Sequence, residues 1–487
     1  MSAQITDFSG AAPDHIAVRV DRFSIRYRDF NNHILQVTSW LGAQGVSAGD
    51  TVGIYSKNPY WMWLLHLAAI RISCRHLTML PPYAAEFAEQ SGMNVFVGDS
   101  GVANIAGLEC KKIVFDGSRS WPSDVLPNSA EWRNAEVSGE SAGPERVAFT
   151  TGTTGTPKAV LWTAKMLRQR IGQVGGTRQL TTSTTLYCDL GMETTAGFRY
   201  PLATWRQGGT VLLGTNRQSR SKMARASSLA VFAPGQINDV LSRTADSWPR
   251  CKSRHLILLG GRAHKTLLTD CYERVASSIT IAYGSTEAGS VVTGDAMLTL
   301  RHPGACGYVR SGCEVEVVDS QHQPLPPGKR GMVRVKSPSI ATSYFSSSKE
   351  AETTAAFRDG WFYPGDLGAI AEDGLVVILG RDADVVNIGG RKVSLTDLEG
   401  RLNDLQEIKD CCFINVESDR SAKLHALVVT DQDDNWLQNS FRSRVGDIGS
   451  ISVLRVSSIP RNAMGKIPRN QIADKLKNQS ERVIRKK

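Results

Sequence analysis

Phe149-Thr-Thr-Gly-Thr-Thr-Gly-Thr-Pro-Lys158 follows directly on the strand-like run Val147 to Phe149 and sets hydroxyls and two glycines in front of a lysine. A loop of this make-up can wrap phosphates. Gly152 and Gly155 let backbone amides approach an anion, the hydroxyls of Thr150, Thr151, Thr153 and Thr154 add donors, and Lys158 supplies positive charge. The spacing is not that of a P-loop, because the lysine follows the second glycine by three residues and no helix-opening Lys-Ser/Thr pair is present. A Thr/Gly-rich surface turn has the same local composition, so the rest of the chain has to decide between the two.

Outward from this loop the chain has an α/β rhythm. Phe30 to Gly45 reads as helix, Thr51 to Tyr55 as strand and Trp61 to Ile72 as helix. The same alternation returns from Met166 to Ser277, with strands at Thr210 to Leu213, Leu229 to Phe232 and Leu256 to Leu259. From Gly307 to Val335 the text turns β-rich, with strands at Glu314 to Val318 and Met332 to Val335 around the turn Pro324 to Gly328, and a β-lobe is expected there. After Gly380 a short αβ unit follows from Val393: a helix-like stretch from Leu395 to Leu402, then Cys411 to Val416 and Ala426 to Val429 as strands.

The 487 residues, 41% hydrophobic and 21% charged, exceed what one compact core normally carries, so two or three lobes are expected. The start of the chain lacks the basic and apolar regions of a signal peptide, which makes a cytoplasmic location the expectation. The most apolar stretch, Trp61 to Ile72, is interrupted by His66 and bordered by Arg71 and Arg75, whereas a membrane span needs roughly 20 apolar residues. It reads as a buried helix, with no membrane insertion. The nine cysteines are an odd number without metal-ligand spacing, which points to reduced thiols, Cys411 and Cys412 filling space in a strand. A net charge of +10 attracts polyanions, but no aromatic-basic interleaving points to nucleic acid. The cluster Arg217, Arg220, Lys222 and Arg225 reads first as a solvated face.

Five further segments follow the threonine loop in order. They are Leu258-Leu-Gly-Gly261-Arg262-Ala263, Ala282-Tyr283-Gly-Ser-Thr286-Glu287, Asp359 to Gly368 with Asp366 at its centre, Leu379-Gly-Arg381-Asp-Ala383-Asp384, and Ile459 to Arg469 with Gly465-Lys466 at its centre. Taken singly, each could be a plain turn. Taken together and in this order, they resemble the adenylate-forming superfamily of acyl-CoA synthetases, peptide-synthetase adenylation domains and luciferase-like enzymes, over nearly the whole chain.

The resemblance implies an α/β fold: a large N-terminal domain of packed α/β layers over 1–380, with a β-rich lobe at about 304–380, a hinge at 381–384 and a small mobile α+β C-terminal domain over 385–487. It implies ATP and Mg²⁺ as cofactors and a carboxylic acid as substrate. Thr150, Thr151, Gly152, Thr153, Thr154, Gly155 and Lys158 would bind phosphate, Gly261 and Arg262 would line the adenine and acyl pockets, and Tyr283 would stack on the purine. Thr286 would meet the α-phosphate, Glu287 would hold the metal through a hard oxygen, and Asp366 and Arg381 would take the ribose. Lys466 would stabilise the charge that develops as the carboxylate attacks phosphorus. The hinge falls on Ala383, where relatives usually carry aspartate or lysine, which leaves Asp382 and Asp384 open as alternatives. Pro364 and Arg262 also depart from the usual pattern. The acceptor would be the thiol of CoA or of a phosphopantetheine-bearing carrier protein with an acidic surface, reached near Gly389 and Gly390. The segment Leu186 to Phe198 would select the acid, and it places Thr194 or Thr195, not Asp189, where amino-acid-activating relatives carry an aspartate. An acid without an α-amino group is therefore expected, with a stand-alone amino-acid adenylation enzyme as the alternative.

Overall fold

The apolar run around Trp61 forms the helix Pro59–Ile72, which is buried nearly all round. Asn58 caps it by accepting the Tyr60 amide at 2.9 Å, Pro59 sits in the first turn where its missing N–H costs nothing, and Ser73 ends it in the left-handed region at φ 64°. The computed structural model describes residues 3–6, 8, 10–99, 108–116, 143–151, 157–174, 180–243, 251–346, 349–388, 391–405, 407–418, 421–445, 451–461 and 467–484. Among them no helix is long and apolar enough to cross a membrane.

Two sheets sandwich this core. In the smaller one the order is Lys111–Phe115, Val95–Asp99, Thr51–Tyr55, Arg75–Thr78, Glu145–Thr151 and Pro157–Trp162, all parallel until the last strand returns antiparallel. In the larger one, Ile16–Val20, Thr210–Leu213, Thr185–Cys188, Leu229–Phe232, Cys251–Leu259 and Ala276–Ser285 run parallel in that spatial order. Thr210–Leu213 and Leu229–Phe232 have the limits expected from their continuous apolar runs, whereas Cys251–Leu259 starts five residues before the expected Leu256. Helices Tyr27–Ala43, Pro59–Ile72 and Thr195–Arg206 fill the space between the sheets, meeting around Trp205, whose ring lies 4.9 Å from both Phe30 and Trp63.

Beyond Ala276–Ser285 the large sheet turns antiparallel. Gly289–Asp295 pairs with Ala305–Val309, which pairs with Val376–Arg381, so the β-rich stretch continues the same sheet. After Arg381 the chain makes a single 3-10 turn, Asp382–Asp384, and enters a unit with its own cores. Here Ile408–Ser418, Ser421–Thr430 and Ile451–Arg455 form a sheet packed against helices Leu395–Asn403, Asp434–Val445 and Arg469–Ile484. Cys411 and Cys412 point to opposite faces of this sheet as buried free thiols.

Candidate active site

The segments that carry Gly260 to Arg262, Tyr283, Asp366 and Arg381 line one cleft of about 1230 Å³ between the large sheet and the C-terminal unit. Asp366 and Arg381 are direct partners in the antiparallel ladder, so the register itself brings the two together. Arg381 Nε lies 2.9 Å from Asp366 Oδ1, and its Nη1 donates to the Pro364 carbonyl at 2.5 Å. Because that contact uses a backbone oxygen, proline at 364 does not disturb it. Gly365 at φ 76° makes the bend that presents Asp366 to the cleft. From the strand Ala276–Ser285, further along the sheet, the Tyr283 hydroxyl donates to Asp366 Oδ2 at 2.6 Å. Burial, then the Asp366 charge, holds the Tyr283 phenol well above its ordinary range, so it stays a donor. The Asp366 side chain thus has a fixed orientation and keeps acceptor capacity for a diol.

Glu287 is 6% exposed. Its carboxylate receives the Tyr344 hydroxyl at 3.3 Å, while its backbone oxygen accepts from Arg170 Nη2 and from the Ala341 amide, both at 2.8 Å. A buried carboxylate with one long hydrogen bond retains lone pairs for a hard cation, so the residue fits Mg²⁺. Arg170 also donates to the carbonyls of Thr286 and Ser339 at 2.7 Å each, with Trp162 Nε1 adding a bond to Thr286 O at 3.2 Å. This arginine therefore fixes the Thr286–Glu287 backbone. It was missed in the sequence, although a cation inside the apolar stripe Leu167, Ile171 and Val174 is a signal.

Thr150 and Lys158 face each other across the hairpin that carries the threonine loop, and Thr151 pairs with Pro157. Lys158 Nζ pairs with Glu352 at 2.7 Å and sits 4.8 Å from the Tyr344 ring centroid, so Lys158 and Glu287 touch the same tyrosine. Gly152, Thr153, Thr154 and Gly155 lie outside the described residues, as do Lys466, Gly389 and Gly390. Arg461 and Ile467, at the borders of the Lys466 segment, line the same cleft as Tyr283 and Asp366. Gly260 turns at φ 82°, and Gly261 leaves only van der Waals room beside Pro234. Arg262 lines the cleft near Gly400 of the C-terminal unit, and its buried Nη1 has no hydrogen-bond partner among the described residues.

In the expected acid-selecting segment, Thr194 caps the helix Thr195–Arg206 by accepting from the Gly197 amide at 3.0 Å. Asp189 is committed elsewhere, to Arg220 at 2.7 Å and the Tyr187 hydroxyl at 2.5 Å.

Residues 6–345 match the AMP-binding enzyme family. The chain belongs to that family. A 3-hydroxybenzoate–CoA ligase of Aromatoleum sp. (strain CIB) is 23% identical to this AMP-binding enzyme over 492 residues, covering 93% of this chain and 92% of that one. A 2-succinylbenzoate–CoA ligase of Bacillus subtilis (strain 168) is 24% identical over 484 residues, covering 96% of both. The solved o-succinylbenzoate CoA synthetase of Bacillus subtilis, in complex with its acyl-adenylate intermediate, superposes with a TM-score of 0.81 at 21% identity, over 96% of this chain and 97% of that one.

Proposed function

We propose that this AMP-binding enzyme joins a carboxylic acid lacking an α-amino group to AMP, releases pyrophosphate from ATP, and then passes the acyl group to the thiol of CoA, releasing AMP. The observation that carries the reading is the convergence of Asp366, Arg381 and Tyr283 on one cleft that the borders of the Lys466 segment, Arg461 and Ile467, also line.

In this reading Asp366 accepts the ribose hydroxyls, Arg381 holds Asp366 in place, and Tyr283 gives the purine a flat face. Lys158 and the threonine loop, Thr150 to Gly155, hold the phosphates, with Thr286 at the α-phosphate. Mg²⁺ bound by Glu287 would neutralise phosphate charge as the leaving group departs. Lys466 stabilises the charge on the α-phosphoryl oxygens during attack by the substrate carboxylate. The large domain spans 1–380 and the small one 385–487, with the turn at 381–384 as the hinge. Rotation there would withdraw Lys466 and admit the thiol past Gly389 and Gly390. The commitment of Asp189 to Arg220 supports an acid without an ammonium group, and the naming of relatives as CoA ligases, two of them for aryl acids, supports CoA over a carrier protein.

ATP–pyrophosphate exchange with pooled aryl, fatty, short hydroxy and amino acids tests this, comparing the intact chain with Lys466→Ala. The expected result is exchange with a pool that lacks amino acids, lost in the variant, and AMP release that then depends on CoA. Exchange with amino acids alone would overturn the substrate class, and exchange untouched by Lys466→Ala would overturn the mechanism.

A further inference from the structure

The helix Thr195–Arg206 carries one arginine into the interior beside the acid-selecting segment. Arg199 is 2% exposed. Its Nη2 donates to Ser290 Oγ at 2.5 Å and its guanidinium stands over the Tyr200 ring, 5.3 Å from the centroid. Its Nε and Nη1 have no hydrogen-bond partner among the described residues. A guanidinium cannot shed its proton at ordinary pH, so a buried one needs an anion or a full set of acceptors.

Arg199 has neither. The charged and titratable groups that face it are Tyr200, Arg310, Cys188 and the neighbouring Arg170, none of them a carboxylate. The two acids of the adjoining segment are turned away: Asp189 pairs with Arg220, and Glu193 faces Arg146. The neighbourhood also holds spare polar atoms. A side-chain carbon added at Gly289 would come no closer than 3.6 Å to Gln173 Oε1 and Ser339 Oγ, and both atoms are buried without a partner among the described residues. Ser290 follows Glu287 by three residues, and Arg170, which grips the Glu287 carbonyl, feels the Arg199 charge, so this uncompensated cation adjoins the reaction site.

We propose that Arg199 anchors a second anionic group on the acid substrate, so that the enzyme prefers a diacid, with one carboxylate activated and the other held at Arg199, over the matching monoacid. This rests on the carboxylate-activation reading above. The second carboxylate takes the free N–H donors as charge-assisted hydrogen bonds and supplies the missing counter-charge. No bond to it forms or breaks.

The test compares benzoate with benzene-1,3-dicarboxylate, and hexanoate with hexanedioate, in ATP–pyrophosphate exchange by the full chain, by Arg199→Met and by Arg199→Lys. The same acids are added without ATP in thermal-shift titrations. In the unaltered chain kcat/KM for a diacid should exceed that for its monoacid at least about tenfold, as expected for pairing a desolvated charge. Arg199→Met should abolish or reverse that order, and Arg199→Lys should keep it in part. Equal or better use of the monoacids, or a diacid preference that survives Arg199→Met, would overturn the proposal. If Arg199→Met does not fold, the unaltered chain and Arg199→Lys decide. If no acid supports exchange, the activation reading fails separately. Thermal stabilisation by a diacid, absent with its monoacid, would then still support the anion site, and no stabilisation by either diacid would end it.

Discussion

Arg469 grips both carboxylate oxygens of Glu399, through Nη1 at 2.7 Å and Nη2 at 3.0 Å. The same Glu399 accepts the Phe413 amide at 2.8 Å, and Arg469 reaches the turn after Arg381 through Asp384 at 3.4 Å. One buried knot thus ties the helix Leu395–Asn403, the strand Ile408–Ser418 and the 381–384 turn to the segment that begins three residues after Lys466. Removing one partner of a buried ion pair leaves the other charge uncompensated at a cost of about 3–5 kcal/mol. Arg469→Met should lower the unfolding midpoint of the C-terminal unit accordingly. Asp384→Asn, which loosens only the turn, should leave that midpoint near its original value. Where Asp384→Asn changes the ratio of pyrophosphate exchange to thiol transfer, the turn acts as a hinge; an unchanged ratio removes it from that role.

The Asp366 carboxylate is held by Tyr283 and Arg381. Tyr283→Phe deletes a hydrogen bond to a charged group, worth roughly 1.5–3 kcal/mol, and should raise KM for ATP about tenfold or more with kcat less affected. Asp366→Ala should do more, and it should also erase the preference for ATP over 2′,3′-dideoxy-ATP. An Asp366→Ala variant that still discriminates between the two nucleotides would take the ribose away from this residue.

How much of this was legible depended on locality. Thr51–Tyr55, Thr210–Leu213, Leu229–Phe232 and Glu314–Val318 have the limits read from the sequence, because each is a β-branched or apolar run closed by turn residues. The helix read from Phe30 starts at Tyr27 instead; its N-cap Arg26 makes no side-chain capping bond, so no Ser, Thr, Asp or Asn marked the start. The helix read from Trp61 begins two residues earlier, at the Asn58–Pro59 start signal. The site residues were legible as short motifs, but their partners were not. Tyr283 and Asp366 lie 83 residues apart, and Arg170 meets Thr286 across 116. Such pairings follow from sheet order and helix packing, which no local spacing encodes.

Glu287 and Arg170 separate chemistry from positioning. Glu287→Gln preserves shape and the Tyr344 contact while removing the charge, so the Mg²⁺ concentration giving half-maximal exchange should rise, with kcat falling on the order of 10²-fold. Among the described residues the hydrogen bonds of Arg170 all go to the backbone carbonyls of Thr286, Glu287 and Ser339, and its guanidinium lies over the Trp162 ring. Arg170→Lys, which cannot hold three carbonyls in a planar fork, should lower kcat while leaving the apparent affinity for Mg²⁺ within a few-fold of the original. A magnesium titration of both variants checks this, and an unchanged magnesium dependence in Glu287→Gln would dismiss the metal assignment.

His264 links acidity to the contact between the two parts of the chain. Its Nε2 lies 3.1 Å from Asn403 Nδ2, an amide donor that needs a neutral imidazole as acceptor, and Thr266 nearby donates to the Asn403 carbonyl at 3.0 Å. Burial, followed by the charges of Arg262 and Arg461, pushes the His264 imidazole down from 6.5 to about 4. Between those values the unfolded chain binds the proton and the folded one does not. The stabilisation is therefore complete above pH 6.5, is lost progressively as pH falls towards 4, and amounts to at most about 3 kcal/mol. Thermal unfolding followed from pH 7.5 to 4 should show a steeper decline for the unaltered chain than for His264→Asn, which cannot take up the proton. Parallel curves for the two proteins would mean that His264 does not couple acidity to this interface.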